Sequence, residues 1–149
     1  MLSALLIGSA LTVVNLAILV MAVLLILRRL LHHLEAQKQP EKQLKAIGIL
    51  AIVVTGLFVG HLLQFASWAL LFLGLGEFSD FQTAFYHSAV NFASLGYGDI
   101  VMSDRWRLLG ALEATNGVLM LGLSAGTILS VMHAVLSRHE LVVRVKERM

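Results

Sequence analysis

The chain has 149 residues, 58% of them hydrophobic and 13% charged, with a mean hydropathy of +0.86. Soluble domains average about 45–50% apolar and about 25% charged residues, so the composition excludes a water-exposed globular surface and points to one membrane domain. One proline and no cysteine exclude a disulfide scaffold, a cysteine zinc cluster and a proline-rich disordered chain.

The formal net charge of +2 is small, and the charges are unevenly placed. Residues 2–27 and 46–76 carry none, and from Leu108 to Ser137 the only formal charge is Glu113. Each run exceeds the roughly 20 residues that cross a bilayer core, which predicts an all-α membrane protein with three transmembrane helices. Arg28, Arg29, Lys38, Lys42 and Lys45 outnumber Glu35 and Glu41 after the first run, and Arg138, Arg144, Lys146 and Arg148 outnumber Glu140 and Glu147 in the tail. Segment 74–107 is acidic instead, with Glu77, Asp80, Asp99 and Asp104 against Arg105 and Arg107. Basic flanks stay in the cytoplasm. The expectation is a multi-pass protein of the cell membrane, with the N-terminus and segment 74–107 outside and the C-terminus cytoplasmic. Lipid contact accompanies such flanks. No nucleic-acid partner is expected, because no aromatic residues are interleaved with the charges.

The first transmembrane helix is expected within residues 1–30, almost featureless apart from Ser9, Thr12 and Asn15. A cleaved signal peptide would place its positive charge before the apolar run; here Arg28 and Arg29 follow it. A voltage sensor would carry arginines inside the span, and none is there. A cytoplasmic linker is expected at 31–43, with Pro40 in the first turn of the next helix, where its missing N–H costs nothing. A pore domain then fills 44–136, followed by a short cytoplasmic tail at 137–149. Its outer helix, 44–73, contains Gly56 and Gly60, and its inner helix, 106–136, contains Gly122 and Gly126. Both pairs have the small-xxx-small spacing that lets helix backbones approach. Gly117 sits where the inner helix could bend.

Between these spans, Ser79 and Gln82 have capping-box spacing, which predicts a helix over 80–92. Its apolar run Phe81–Phe92, twelve helical residues, covers about 18 Å, too short to cross but enough to reach half-depth. Residues 94–99 can return about 18–20 Å as extended chain, so the segment reads as a re-entrant helix and loop. Extended backbone at that depth survives only where protein or water surrounds it. Gly96 and Gly98 permit alternate residues with φ > 0, which turns successive carbonyls to one side. A ring of carbonyls substitutes for the hydration shell of a monovalent cation, and the helix C-terminus adds a negative dipole end.

Ser94-Leu95-Gly96-Tyr97-Gly98-Asp99 resembles the TVGYG selectivity filter of potassium channels. The resemblance covers roughly residues 48–136 and is closest to the small prokaryotic two-helix pore module, here with an extra N-terminal span. It implies a homotetramer that conducts K+ passively. The backbone carbonyls of Ser94, Leu95, Gly96 and Tyr97 would hold the ion, with the Ser94 hydroxyl at the innermost site and Gly98 and Asp99 at the filter mouth. Many members carry a tryptophan thirteen residues before the mouth aspartate, where this chain has Tyr86. Its phenol can donate to Asp99. Ser94 and Leu95 replace the usual Thr and Val, and Asn91-Phe92-Ala93 replaces a Thr-rich lead-in. These departures keep two alternatives open: a weakly selective monovalent cation channel, and a non-conducting scaffold or sensor subunit.

His61 with Gln64, and Glu113 with Asn116, are i,i+3 pairs on single helix faces, at matching depths of about 12–18 Å. They are expected to form one polar cluster behind the pore helix, joined by Asn91 or His87. Bracing is the structural reading, and proton sensing by a His–Glu pair is the functional one. His32, His33, His133 and His139 lack the neighbours of a metal site. K+ is expected as permeant ion only, with no organic cofactor and no small-molecule substrate. No nucleophile–base pair or phosphate loop suggests an enzyme.

Overall fold

The computed structural model describes the backbone of residues 1–35 and 43–147, and the side chains of 1–29 and 47–135. It contains α1 (Leu2–Glu35), α2 (Gln43–Gly74), α3 (Phe81–Phe92) and α4 (Arg107–Glu147). Within them, Leu2–Arg29, Ile47–Gly74 and Arg107–Val135 are long and apolar enough to cross a membrane. Helix α1 runs on unbroken to Glu35. Residues 36–42, and with them the Pro40 assignment, lie outside the described residues, as do Arg148 and Met149 at the end of the expected tail.

The inner-helix boundary expected at 136 is absent: α4 continues to Glu147. Residues 137–147 contain no glycine or proline to stop it. At 41 residues it is about 60 Å long, twice the thickness of a hydrocarbon core.

Helices α1 and α2 are antiparallel. Going along α1, Asn15 meets Gln64, Ala22 meets Gly60, and Ile26 meets Gly56. A Cβ on Gly56 would lie 2.8 Å from Ile26 Cδ1, and one on Gly60 3.4 Å from Ala22 Cβ, so this glycine pair serves the α1–α2 contact. Helix α1 also packs on α4, with Gly8 against Leu109 and Leu112 and Val23 near Gly122, which makes these two helices parallel. A Cβ on Gly122 or Gly126 meets nothing within 4 Å.

Helix α3 lies between the N-terminal half of α4 and the C-terminal half of α2. Phe65 meets Phe92 and Phe85 with ring centroids 5.0 and 6.1 Å apart, and Phe72 meets His87 at 5.4 Å. The cap of α3 is Asp80 rather than Ser79: its backbone is extended (φ −141°, ψ 154°) and Oδ1 accepts the Thr83 amide at 2.8 Å. That bond lowers the Asp80 pKa below the ordinary carboxylate value. Because the helix starts one residue later than the capping-box spacing suggests, Gln82 falls at the second helical position and no box forms.

The end of α3 is fixed against α4 at Gly117. A Cβ there would collide with the Phe92 carbonyl oxygen and lie 2.7 Å from its carbon. The glycine is a contact requirement rather than a bend. Backbone cannot retreat as a flexible side chain can, so Gly117→Ala is expected to cost about 1–3 kcal/mol, measured as a lower thermal unfolding midpoint in detergent.

Candidate functional site

Two helices end with the same hydrogen-bond pattern. After α2, the Gly76 amide donates to Leu73 O and the Glu77 amide to Phe72 O, both at 3.0 Å, with Gly76 at φ +74°. After α3, the Ser94 amide donates to Asn91 O at 2.8 Å and the Leu95 amide to Val90 O at 2.9 Å, with Ser94 at φ +57°. Both are Schellman motifs, whose left-handed position is ordinarily glycine. Ser94 is the only non-glycine residue with positive φ among the described residues, a conformation that costs on the order of 1 kcal/mol or more for a residue with a Cβ.

Gly96 at φ +58° and Gly98 at φ +70° continue the alternation, so residues 94, 96 and 98 share positive φ. A Cβ on either glycine meets nothing within 4 Å; it is backbone conformation, not space, that excludes a side chain. Leu95 is 55% and Tyr97 65% exposed in the single chain. The segment therefore stands away from the rest of the chain on that side. On its other side lies a crevice of about 470 Å³ lined by His87, Asn91, Asp99 and Gly110, among others.

Tyr86 Oη donates to Asp99 Oδ2 at 2.7 Å, tying the first half of α3 to the end of the segment. A second clasp was not expected from the sequence. Glu77 accepts both the Ser103 amide (2.7 Å) and the Ser103 hydroxyl (2.6 Å), joining the turn after α2 to the approach to α4. Only the cluster of acidic residues in this loop hinted at it. The Arg107–Asp104 ion pair at 3.1 Å is solvent-exposed and contributes little.

The residues expected to form one intramembrane cluster form two groups. In the first, Gln64 Nε2 donates to Asn15 O at 2.7 Å, which leaves Oε1 to accept from His61 Nδ1–H at 2.7 Å. His61 Nε2 then accepts from the Ser124 hydroxyl at 3.0 Å. Ser67 donates to Asn15 Oδ1 at 2.8 Å. This network joins α1, α2 and α4, and it includes Asn15, Ser67 and Ser124, which spacing within single helices does not single out.

In the second group, Glu113 is fully buried and turned toward Ser88 and Asn91 of α3, but neither carboxyl oxygen has a hydrogen bond. Asn116 is likewise buried and unbonded, and Asn91 Nδ2 lies 3.2 Å from His87 Nε2. No hydrogen bond links Glu113 or Asn116 to His61 or Gln64 among the described residues. Phe92 lies against both His61 (5.9 Å between ring centroids) and Gly117. Among the described residues, no group of three His, Cys, Asp or Glu could hold a metal ion.

Residues 47–134 match the family model described as an ion channel. That is more than half of the chain, and the protein belongs to this ion channel family, consistent with a small potassium-channel-like pore module. No curated protein and no solved structure matches it. The matched region takes in α3, the segment after it and most of α2 and α4, and leaves α1 outside. The protein is a multi-pass membrane protein of a channel family rather than an enzyme family.

The Tyr86–Asp99 bond lowers the Asp99 pKa and raises that of Tyr86 from their ordinary values. A lowered acid and a raised phenol keep the bond intact across neutral pH; it is lost as pH falls through the lowered Asp99 value or rises past the raised Tyr86 value. Tyr86→Phe is expected to move the Asp99 midpoint up into the ordinary carboxylate range, read by carboxyl-carbon NMR. Ser94 makes a second test. Ser94→Gly removes the left-handed strain and is expected to raise the unfolding midpoint, whereas Ser94→Thr, with a β-branched side chain at φ > 0, lowers it.

Proposed function

We propose that the protein is a potassium-selective channel in which four copies place residues 94–99 around a shared axis. Helix α3 then acts as a re-entrant pore helix and the segment after it as the selectivity filter. The carbonyls of Ser94, Leu95, Gly96 and Tyr97, with the Ser94 hydroxyl, replace the hydration shell of K+; Gly98 and Asp99 form the outer mouth. The observation that carries this reading is the alternation of positive φ at Ser94, Gly96 and Gly98, because alternate left-handed residues aim successive carbonyls the same way.

Three further observations support it. The amides of residues 93–95 are turned back onto α3, so these three donors do not face the segment that follows. The α3 C-terminus contributes a negative dipole end favourable to a cation. Leu95 and Tyr97 are uncovered in one chain, and apolar and aromatic side chains beside an ion path need neighbouring copies to pack against. A carbonyl cage complete enough to dehydrate K+ requires several such strands, and four give it fourfold symmetry. The basic residues on the α1–α2 and C-terminal flanks favour a cytoplasmic position for those ends and an outside N-terminus.

Reconstituted liposomes test the proposal. Potassium efflux down its gradient is expected for the wild type and is expected to fall to the leak of empty vesicles in Gly96→Ala, since alanine is disfavoured at φ +58°. Replacing K+ by Na+ is expected to remove the wild-type flux. Flux that survives Gly96→Ala overturns the carbonyl mechanism, and equal K+ and Na+ flux makes the pore a weakly selective cation channel.

A further inference from the structure

Helices α1 and α2 touch along a line through Gly56 and Gly60. Beside that line they part to leave an open, largely apolar groove of about 900 Å³. Its walls include a stripe of Met21, Leu25 and Arg29 from α1 and a stripe of Ile52, Thr55 and Val59 from α2. Each stripe advances by three or four residues, so it stays on one helix face. Met21, Leu25, Ile52 and Val59 are all exposed in the single chain.

The groove is not uniform along its length. It runs from Val14 to Arg29, about 22 Å along α1, most of the roughly 30 Å hydrocarbon core. Arg29 is the last residue of the membrane-crossing part of α1, so the guanidinium stands where the hydrocarbon gives way to headgroups. Among the described residues, no acidic residue lines the groove. A long apolar trough that ends at one cation at headgroup level has the chemistry of an amphiphile with an apolar tail and an anionic head. Guanidinium also matches phosphate oxygens in a forked geometry.

We propose that this groove is a binding site for an anionic glycerophospholipid, with an acyl chain between α1 and α2 and the phosphate on Arg29. The ligand comes from the surrounding bilayer and the site lies on the α1–α2 face, so its occupancy is read without any ion flux. Failure of the conduction proposal and failure of this one are separate results.

Native mass spectrometry of the purified protein, titrated with phosphatidylglycerol or phosphatidylcholine bearing the same chains, tests it. Phosphatidylglycerol is expected to be retained in preference. Arg29→Gln is expected to weaken its retention about fivefold, the effect of one basic residue near an anionic lipid surface, to the phosphatidylcholine level. Arg28→Gln, whose side chain does not line the groove, is expected to leave the preference intact. Thr55→Phe fills the groove from an exposed position and is expected to abolish the preference with Arg29 still present. The proposal is overturned by equal retention of the two lipids, by equal effects of Arg28→Gln and Arg29→Gln, or by a preference that survives Thr55→Phe. A disulfide between Thr55→Cys copies in membranes would put a second copy of the chain in the groove and overturn it as well.

Discussion

The backbone amides of Ala93, Ser94 and Leu95 are all turned back onto α3, donating to Ala89, Asn91 and Val90. This way of ending a helix well inside an apolar chain decides what the following residues can be. An α-helix leaves carbonyls unpaired at its C-terminus, and in hydrocarbon an unpaired polar group is costly. Here the Schellman bonds pair the amides of residues 93–95 with the carbonyls of Ala89, Val90 and Asn91, so the last turn is closed within the chain. Gly117 holds this arrangement in place by letting the α4 backbone reach the Phe92 carbonyl.

The strain at Ser94 belongs with this. Gly76 performs the same turn after α2 in a residue type that adopts it freely. At Ser94 the chain instead carries a hydroxyl-bearing side chain at the left-handed position. Strained positions persist where the surroundings over-determine them. The Schellman bonds on one side and the Tyr86–Asp99 bond on the other fix both ends of a six-residue stretch whose Leu95 and Tyr97 side chains are exposed.

The three long helices were legible because charge is expensive in hydrocarbon, and few settings besides a bilayer keep it out of so long a run. The Gly-Tyr-Gly stretch was conspicuous because it follows a helix too short to cross a bilayer. Contacts between helices were less legible. Helical periodicity puts His61 with Gln64 and Glu113 with Asn116, but it does not say which face turns toward which helix. Asn15, some fifty residues from its partners, completes the first pair's hydrogen bonds, whereas the second pair faces α3. For the same reason Gly117 reads as a bend in one dimension and is a backbone contact in three. The Ser79 cap failed more locally: Asp80 caps equally well, and spacing alone could not choose between adjacent candidates.

The antiparallel pairing of α1 with α2, sealed by Gln64 and Ser67 on Asn15, bears on how the protein is made. Chains emerge from the ribosome N-terminus first, so these two helices are complete before α3 and the residues after it have been synthesised. A helical hairpin can thus settle in the bilayer as a preassembled wall. Helix α3 and the segment after it then fold against a surface already in place.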